Sequence, residues 1–297
     1  MKSYIERAID LAKSQRRAEE SRKPAESAAV HAPREPRSRR SPQPAPPAQL
    51  EHATIGAPAI DLMRAPVIAV ESGVLRQNRV LVESDSRNPA EFAYRMLRTR
   101  VMRQMRTNGW TRLGITAPRA SEGKTLTAIN LAIAIAAERV QPVVLVDLDL
   151  RRPRIHRYLG VPDDRFTDVS DYLEGRTSSI EELFVALGDH SLNAILGGRP
   201  IDRSSDLLAS PHGQSFLSDL SRRLPGALLI FDLPPLLSTD DPLVVAPMID
   251  AILLVIAEHG TARDDVASAA ELLSEFNVLG AVLNKSAERG DQSYYAY

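Results

Sequence analysis

The chain has 297 residues, of which 43% are hydrophobic and 25% charged, with a formal net charge of -1 and no cysteine. This length suffices for one large domain or two small ones, and the charge gives no general case for nucleic-acid binding. The lack of cysteine excludes disulfides, thiolate metal sites and cysteine nucleophiles, and it fits a reducing cytoplasm. No stretch approaches about twenty apolar residues and the N-terminus does not begin a signal peptide, so we expect membrane contact only through a partner.

Composition divides the chain into four regions. Residues 1–20 carry apolar side chains at helical spacing among charged ones, which predicts a short amphipathic helix able to dock on a partner. Residues 21–77 are rich in Pro, Ala and Arg and are predicted to be a disordered linker. Residues 78–286 form the predicted folded domain. Residues 287–297 are predicted to be a flexible tail.

The folded domain reads as alternating helices and strands. A helix is predicted over residues 90–105, where Pro89 makes a good start. A βαβ series follows, which predicts an α/β fold with a mostly parallel, doubly wound sheet. Strands are predicted at 113–116, 143–146, 192–195, 228–231, 243–246, 251–256 and 279–283, helices at 124–138, 213–223 and 262–276, and a mixed helical and turn region at 154–189.

The most informative segment lies between the first of these strands and the next helix. Residues 120–125 read Ala-Ser-Glu-Gly-Lys-Thr, where a phosphate-binding loop would lie. Backbone N–H groups at the helix start favour a polyanion, Lys124 adds a positive charge, and Thr125 offers a hydroxyl to Mg²⁺. The usual pattern has glycine at position 118, where this chain has Pro118.

Two apolar runs end in carboxylates. Residues 142–146 lead into Asp147 and Asp149, and residues 227–231 lead into Asp232. Such runs suit central strands of a parallel sheet, whose carboxyl ends meet at one edge. For a single aspartate, a strand-end turn or a helix cap is the simpler interpretation. Three together, beside a phosphate-binding loop, predict a Mg²⁺-nucleotide site.

The C-terminal tail carries three tyrosines in its last four residues, although the chain is only 5% aromatic. This concentration favours acceptor tyrosines over a chance aromatic end. The candidates for phosphorylation are Tyr294, Tyr295 and Tyr297.

From about Asn78 onward the chain resembles the bacterial tyrosine autokinases of capsule and exopolysaccharide loci, which are P-loop ATPases related to the ParA/MinD group. Asp-x-Asp-x-Arg-x-Pro at 147–153 is the most discriminating motif. The opening helix and the spacer also look like the subset found beside exosortase loci. The resemblance rests on residues 122–125 with 128–132, 147–153, 207–210, 232–235, 280–284 and the terminal tyrosines.

The resemblance implies roles for individual residues. The catalytic set would be Lys124, Asp147, Asp149 and Arg151, with Asp147 as the candidate base and Arg151 near the transferring phosphoryl group. Thr125, Asp149 and Asp232 would hold Mg²⁺, and Asn284 would read the adenine edge. The implied nucleotide-binding residues are Ala120, Ser121, Glu122, Gly123, Lys124, Thr125, Leu126 and Asn284.

The resemblance also implies ATP and Mg²⁺ as cofactors and phosphorylation of the tail tyrosines in trans. The implied partners are a membrane polysaccharide co-polymerase or chain-length regulator as activator, a second copy of the chain and a cognate tyrosine phosphatase, with no nucleic acid. The expected location is the cytoplasm, at the inner face of the membrane through that partner.

Two features depart from the family pattern, and two other classes of protein stay open. Ala120-Ser121 replaces the common Pro-Gly, so serine must take a backbone angle that glycine takes freely. Phe92 stands where the oligomerising helix usually has Glu. The alternatives are a ParA/MinD-like ATPase switch, which would carry a second lysine where this chain has Arg119, and an ATP-binding scaffold without catalysis.

Overall fold

The computed structural model describes residues 59–81, 89–188 and 192–286. The predictions for residues 1–58 and for the tail, including its tyrosines, lie outside the described residues. The strands are β1 Val67–Ile68, β2 Arg112–Thr116, β3 Val143–Asp147, β4 Phe184–Leu187, β5 Leu192–Ile195, β6 Leu228–Asp232, β7 Ala251–Ala257 and β8 Val278–Asn284. The helices are α1 Ser72–Gln77, α2 Pro89–Asn108, α3 Lys124–Ala136, α4 Ile155–Leu159, α5 Val169–Leu173, α6 Ser204–Ala209, α7 Pro211–Arg223, α8 Asp241–Val245 and α9 Arg263–Leu272.

The strands form one sheet in the order β1-β4-β5-β3-β6-β2-β7-β8. Neighbouring strands are parallel except β4 and β5, which are antiparallel. Every residue of β3, β6 and β7 is buried, as continuous apolar runs require when helices cover both faces of a sheet. The predicted α/β fold with a mostly parallel sheet is confirmed.

The register of the central strands determines where the predicted site residues lie relative to one another. Asp147 at the end of β3 lies opposite Asp232 at the end of β6, and Asp232 lies opposite Ile115 of β2 on its other side. Because β2 leads directly into the predicted phosphate-binding loop, this pairing places both carboxylates beneath that loop. The helix that follows the loop, α3, is buried along almost its whole length, which fixes its start against the sheet.

The residues that precede α2 form a strap over the domain, which we define as residues 59–81. Ile60 N–H donates to the carbonyl of Arg223, and β1 adds a parallel strand beside β4 at the sheet edge. Leu75 is almost fully buried. The prediction of a linker over residues 21–77 is therefore wrong for residues 59–77. This stretch is rich in Val, Ile and Leu, unlike residues 21–58, and its apolar side chains have a sheet edge and a helix surface to cover.

The strap joins the rest of the domain through Asn130 in α3. Its Oδ1 accepts from Leu81 N–H at 2.9 Å, and its Nδ2 donates to the carbonyl of Arg79 at 3.2 Å. Asn130→Ala is expected to reduce the free energy of unfolding by about 1–3 kcal/mol, because it leaves a buried N–H without a partner. Chemical denaturation measures the change.

The matched control is Asn108→Ala. Asn108 bonds the carbonyl of Gln104 at the exposed end of α2, so its loss should change stability by less than about 0.5 kcal/mol. Equal effects of the two substitutions would contradict the role given to Asn130.

Two further elements differ from the predictions. Residues 243–246, predicted as a strand, lie in α8 and the 3₁₀ turn Ala246–Met248. A four-residue apolar run does not distinguish strand from helix, and Pro242 sits in the first turn, which proline favours in helices. The region 154–189, predicted as helix and turn, also contributes β4. Across the described ranges, each helix is too short or too polar to cross a bilayer.

Candidate functional site

A pocket opens at the carboxyl edge of the sheet, with a volume of about 350 Å³. The loop between β2 and α3 forms one wall through Ala120, Ser121 and Gly123, and the start of α3 contributes Lys124 and Thr125. Gly123 precedes α3 with φ 96° and gives the helix start no side-chain cap. The first N–H groups of α3 and the positive end of its dipole therefore suit an anion.

Lys124 lies at the centre of the acidic residues. Its Nζ is 2.7 Å from Asp149 Oδ2 and 3.4 Å from Asp232 Oδ1, and it donates to Thr125 Oγ1 at 3.3 Å. The four residues are at most 7% exposed. The structure thus brings together every side chain predicted to bind the metal.

Burial and mutual repulsion perturb the titration of this cluster. Burial raises the pKa of Asp232 to about 6, although Lys124 favours its ionised form. Burial, and then the charge of Asp232, raise the pKa of Asp147 well above its usual value. Burial opposes the charged form of Lys124, but the attraction of Asp232 and Asp149 outweighs it and raises the lysine pKa. The single positive charge of Lys124 therefore interacts with three carboxyl groups, those of Asp147, Asp149 and Asp232.

Asp147 does not face the pocket. It is fully buried, its Oδ2 accepts from the backbone N–H groups of Arg154 and Ile155, and its Oδ1 accepts from that of Asp149. Both oxygens therefore hold the loop after β3. The structure places Asp149, not Asp147, on the pocket wall, so the role of Asp147 as base for a tyrosine hydroxyl has no support in this geometry.

Comparisons with known proteins identify relatives of the chain. No protein-family model matches the chain. The chain is 27% identical over 234 residues to Tyrosine-protein kinase YwqD of Bacillus subtilis (strain 168), covering 75% of the chain and 93% of YwqD. It is 27% identical over 209 residues to Putative tyrosine-protein kinase CapB of Staphylococcus aureus, covering 69% and 88%.

Among solved structures, the kinase domain of Escherichia coli tyrosine kinase ETK matches with a TM-score of 0.59 and 26% identity, covering 67% of this chain and 78% of that one. The chain is similar in sequence and in fold to bacterial tyrosine kinases. Its enzyme class is protein-tyrosine kinase, and its fold is that of the ETK kinase domain.

The end of β8 closes over the phosphate-binding loop of this tyrosine kinase. Asn284 Nδ2 donates to the carbonyl of Glu122 at 2.9 Å, and Lys285 Nζ donates to that of Ser121 at 2.6 Å. A Cβ on Gly123 would lie 2.0 Å from Asn284 Nδ2. Asn284 thus holds the loop, and its contact with adenine stays a prediction.

The other predicted nucleotide-binding residues differ in their placement. Glu122 is buried, and its Oε1 accepts from Thr261 Oγ1 at 2.6 Å. Leu126 is half-buried and packs on the hydrophobic core. Arg119 makes a two-point ion pair with Asp265, through Nε at 2.6 Å and Nη2 at 2.8 Å. Thr261 and Asp265, which lie outside the loop, therefore hold the phosphate-binding loop in place. The loop motif alone did not indicate these contacts.

Several pocket residues were not among the predicted ones. Apart from the loop and helix start described above and Asp149, the lining residues follow β3, β5 and β6. Arg151 is the predicted one among them, and the others are Arg152, Arg154, Tyr158, Asp202, Pro234, Pro235, Ser238 and Thr239. The family motifs at 147–153 and 232–235 pointed to these loops without indicating which of their side chains reach the pocket.

Ser121 adopts the left-handed conformation anticipated from the missing glycine, with φ 66°. This conformation costs a non-glycine residue about 1–2 kcal/mol, whereas glycine loses about 0.5–1 kcal/mol of backbone entropy on folding. Ser121→Gly is therefore expected to raise the free energy of unfolding by roughly 0.5–1 kcal/mol and to tighten ATP binding. Thermal unfolding and a nucleotide titration measure both effects.

Gly123→Ala provides the opposite control on the same loop. Its φ is 96° and its Cβ would collide with Asn284 Nδ2, so stability and nucleotide affinity should both fall. A Ser121→Gly variant less stable than the unaltered chain would contradict the strain assigned to Ser121.

Proposed function

We propose that this chain transfers the γ-phosphoryl group of ATP to the hydroxyls of Tyr294, Tyr295 and Tyr297 on a neighbouring copy. The observation that carries the proposal is the placement of Lys124 between Asp149 and Asp232, beside Thr125, at the start of the helix that follows the phosphate-binding loop. Phosphoryl transfer depends mainly on positioning and on charge neutralisation, which such a set supplies.

Binding of ATP would exchange the partners of Lys124. In the free chain its ammonium group pairs with carboxylates, whereas a bound triphosphate would offer it phosphate oxygens. The carboxylates that lose this cation then need another. The N–H groups at the start of α3 would bind the remaining phosphate oxygens, as at other anion sites on helix N-termini.

The residues present fit a Mg²⁺ ion as that second cation. Asp232 Oδ2 is buried with no hydrogen-bond partner among the described residues, and Asp149 and Thr125 contact the same Lys124 Nζ at 2.7 and 3.3 Å. The described ranges contain no preformed group of three or more His, Cys, Asp or Glu metal ligands. Thr125, Asp149 and Asp232 would instead share the ion with phosphate oxygens and water, as magnesium sites commonly do. When bound, Mg²⁺ would neutralise phosphate charge.

Arg151 would stabilise the transferring phosphoryl group. Its side chain is 41% exposed and lines the pocket together with Arg152 and Arg154. A guanidinium group binds phosphoryl oxygens in a planar, two-point geometry that lysine does not offer. With Lys124, it would balance the charge on the equatorial oxygens.

Transfer in trans is proposed from where the described chain ends. Asn284 and Lys285 are held on carbonyls of the phosphate-binding loop, so the tail starts at the rim of its own pocket. Only eight residues separate Lys285 from Tyr294, which leaves an acceptor tyrosine little length to reach back into the pocket of its own chain. The pocket of a neighbouring copy removes that constraint.

Arg119 favours the kinase over a ParA/MinD-like switch. It stands where such a switch usually carries a second lysine early in the phosphate-binding loop, and here it is paired with Asp265. An arginine held in this pair substitutes only partly for that lysine.

We further propose that tail phosphorylation regulates synthesis and export of an exopolysaccharide or capsule. A membrane co-polymerase or chain-length regulator would activate the chain, and a tyrosine phosphatase would reset it. The chain would then act at the inner face of the membrane, with residues 1–20 as a docking helix, residues 21–58 as the linker and residues 287–297 as the acceptor tail. The support is the similarity to bacterial tyrosine kinases and the tyrosine-rich tail.

Intact mass measured after incubation with ATP and Mg²⁺ tests the proposal. We expect additions of single phosphates on the full chain and none on Lys124→Met or on a chain ending at Gln292. For transfer in trans, the shortened active chain is mixed with full-length Lys124→Met. Phosphate on the Lys124→Met chain is the expected result. A full chain that hydrolyses ATP without gaining mass would overturn the kinase proposal in favour of a switch.

A further inference from the structure

We infer that Ser204 and Asp241 are positioning residues that hold Arg151 in its phosphoryl-binding orientation. The inference rests on the proposed function, in which Arg151 contacts the transferring group. Neither residue belongs to the motifs that marked the site.

The contacts form a short relay that ends on the arginine. Arg151 Nε donates to Ser204 Oγ at 3.2 Å, and Ser204 Oγ donates to Asp241 Oδ2 at 2.5 Å. Arg151 Nε also lies 3.9 Å from Asp241 Oδ1. A serine hydroxyl has one proton to donate. Because that proton goes to Asp241, the oxygen presents a lone pair to Arg151.

The base of the relay is buried and its polar atoms are satisfied. Ser204 and Asp241 are both 0% exposed. Asp241 Oδ1 accepts a second hydrogen bond from Thr239 Oγ1 at 2.7 Å. A buried carboxyl group bonded at both oxygens is fixed in position, because hydrogen-bond networks in a low-dielectric environment are rigid.

The contacts between Arg151 and the relay leave the terminal nitrogens of the arginine available to a ligand. Both contacts to the relay use Nε, which is the nitrogen nearest the backbone, whereas Arg151 also lines the pocket. The terminal nitrogens are thus assigned to the ligand. Anchoring one nitrogen of a long, partly exposed side chain reduces the rotamer freedom that it would otherwise lose in the transition state.

The relay also connects three loops of the site. Arg151 follows β3, Ser204 begins α6, and Asp241 begins α8. Thr239, which bonds Asp241, lines the same pocket as Arg151. The position of the arginine is therefore fixed relative to the chain segment that follows Asp232.

A double-mutant cycle tests the inference. Ser204→Ala is expected to lower kcat for autophosphorylation by about tenfold while changing the dissociation constant of ATP by less than about twofold, because the arginine acts mainly in the transition state. Arg151→Lys should lower kcat by about a hundredfold. In the Arg151→Lys background, adding Ser204→Ala should change kcat by less than about twofold, since its target is already absent.

Ser170→Ala is the matched control, because Ser170 is also buried and bonds an arginine, Arg199, that is not among the residues lining the pocket. It should leave kcat unchanged. Thermal unfolding of each variant shows whether the fold is retained. If Ser204→Ala lowers kcat equally in both backgrounds, or leaves kcat unchanged in the otherwise unaltered chain, the positioning role is overturned.

A second measurement separates this inference from the proposed function. Binding of ADP with aluminium fluoride, which mimics the transferring phosphoryl group, should weaken about tenfold in Ser204→Ala, with binding of ADP alone unchanged. This result would support the positioning role even if the unaltered chain left its tyrosines unmodified, which would defeat the kinase proposal alone. Equal loss of both ligands, or of neither, would overturn the inference.

Discussion

Lys124→Met is expected to abolish autophosphorylation and also to destabilise the free protein by roughly 3–5 kcal/mol, the usual effect of removing one partner from a buried ion pair. Lys124 Nζ lies 2.7 Å from Asp149 and 3.4 Å from Asp232. Methionine leaves both carboxylates buried without their cation. Urea denaturation at neutral pH measures the loss.

The loss should shrink as the pH falls. Without Lys124, the pKa of Asp232, already about 6 because of burial, should rise further, so the folded state takes up protons that the unfolded state does not. Stability therefore falls more steeply with rising pH in the variant than in the unaltered chain. At low pH the carboxylates are neutral in both chains, and the difference between them becomes small.

Lys285→Met is the control for this prediction. Lys285 also contacts the phosphate-binding loop, but it is exposed and bonds a backbone carbonyl. Its loss should change stability by less than about 1 kcal/mol. A Lys124→Met chain as stable as Lys285→Met would show that Lys124 does not neutralise the buried acids.

Asp232→Asn is also expected to abolish phosphoryl transfer. In contrast to Lys124→Met, however, it should stabilise the folded protein. The ionised form of Asp232 is disfavoured in the folded state, with a pKa of about 6 instead of 3.8. Two units correspond to about 3 kcal/mol at neutral pH. This pKa already includes the attraction of Lys124 for the ionised form. An uncharged asparagine therefore avoids the net penalty, and we expect a gain of roughly 1–3 kcal/mol in the free energy of unfolding.

The pH dependence of the free energy of unfolding tests the direction of this effect. A raised carboxyl pKa means that the folded state binds more protons than the unfolded state between about pH 4 and 6, so stability falls as the pH rises through that window. Asp232→Asn should reduce this slope. Denaturation curves at a series of pH values give the comparison.

Asp250→Asn is a control with the reverse expectation. Burial opposes the ionised form of Asp250, but hydrogen bonds from Arg112 and from the N–H of Thr111 outweigh it and lower its pKa. Its ionised form therefore stabilises the fold, and the amide should destabilise it. If the two Asp→Asn variants shift stability in the same direction, the account of the buried acidic cluster is wrong.

The sequence indicated the central part of the fold because its signals are local. Continuous apolar runs that end in Asp147 and Asp232 identify buried parallel strands, and the residue types after β2 identify a helix start that binds anions. The positive φ of Ser121 also followed from the absence of glycine.

What the sequence did not indicate depends on tertiary contacts. The strap is richer in apolar residues than the preceding linker, but its order comes from partners far along the chain, such as Asn130. Asp147 and Asp149 belong to one motif, yet the backbone after β3 turns Asp147 into the interior and Asp149 toward the pocket. Ser204 and Asp241 are 37 residues apart, and no local pattern joins them.

The central claim is that a magnesium-bound triphosphate separates Lys124 from its acidic neighbours. Lys124 would then pair with phosphate oxygens, and the carboxylates would bind the metal. A crystal structure of the full chain with Mg²⁺ and a non-hydrolysable ATP analogue tests it most directly. We predict that Lys124 Nζ leaves Asp149 for the phosphate oxygens and that the metal lies among Thr125, Asp149 and Asp232. An empty pocket at a saturating concentration of the analogue, or a bound analogue with Lys124 still paired to Asp149, would contradict the claim.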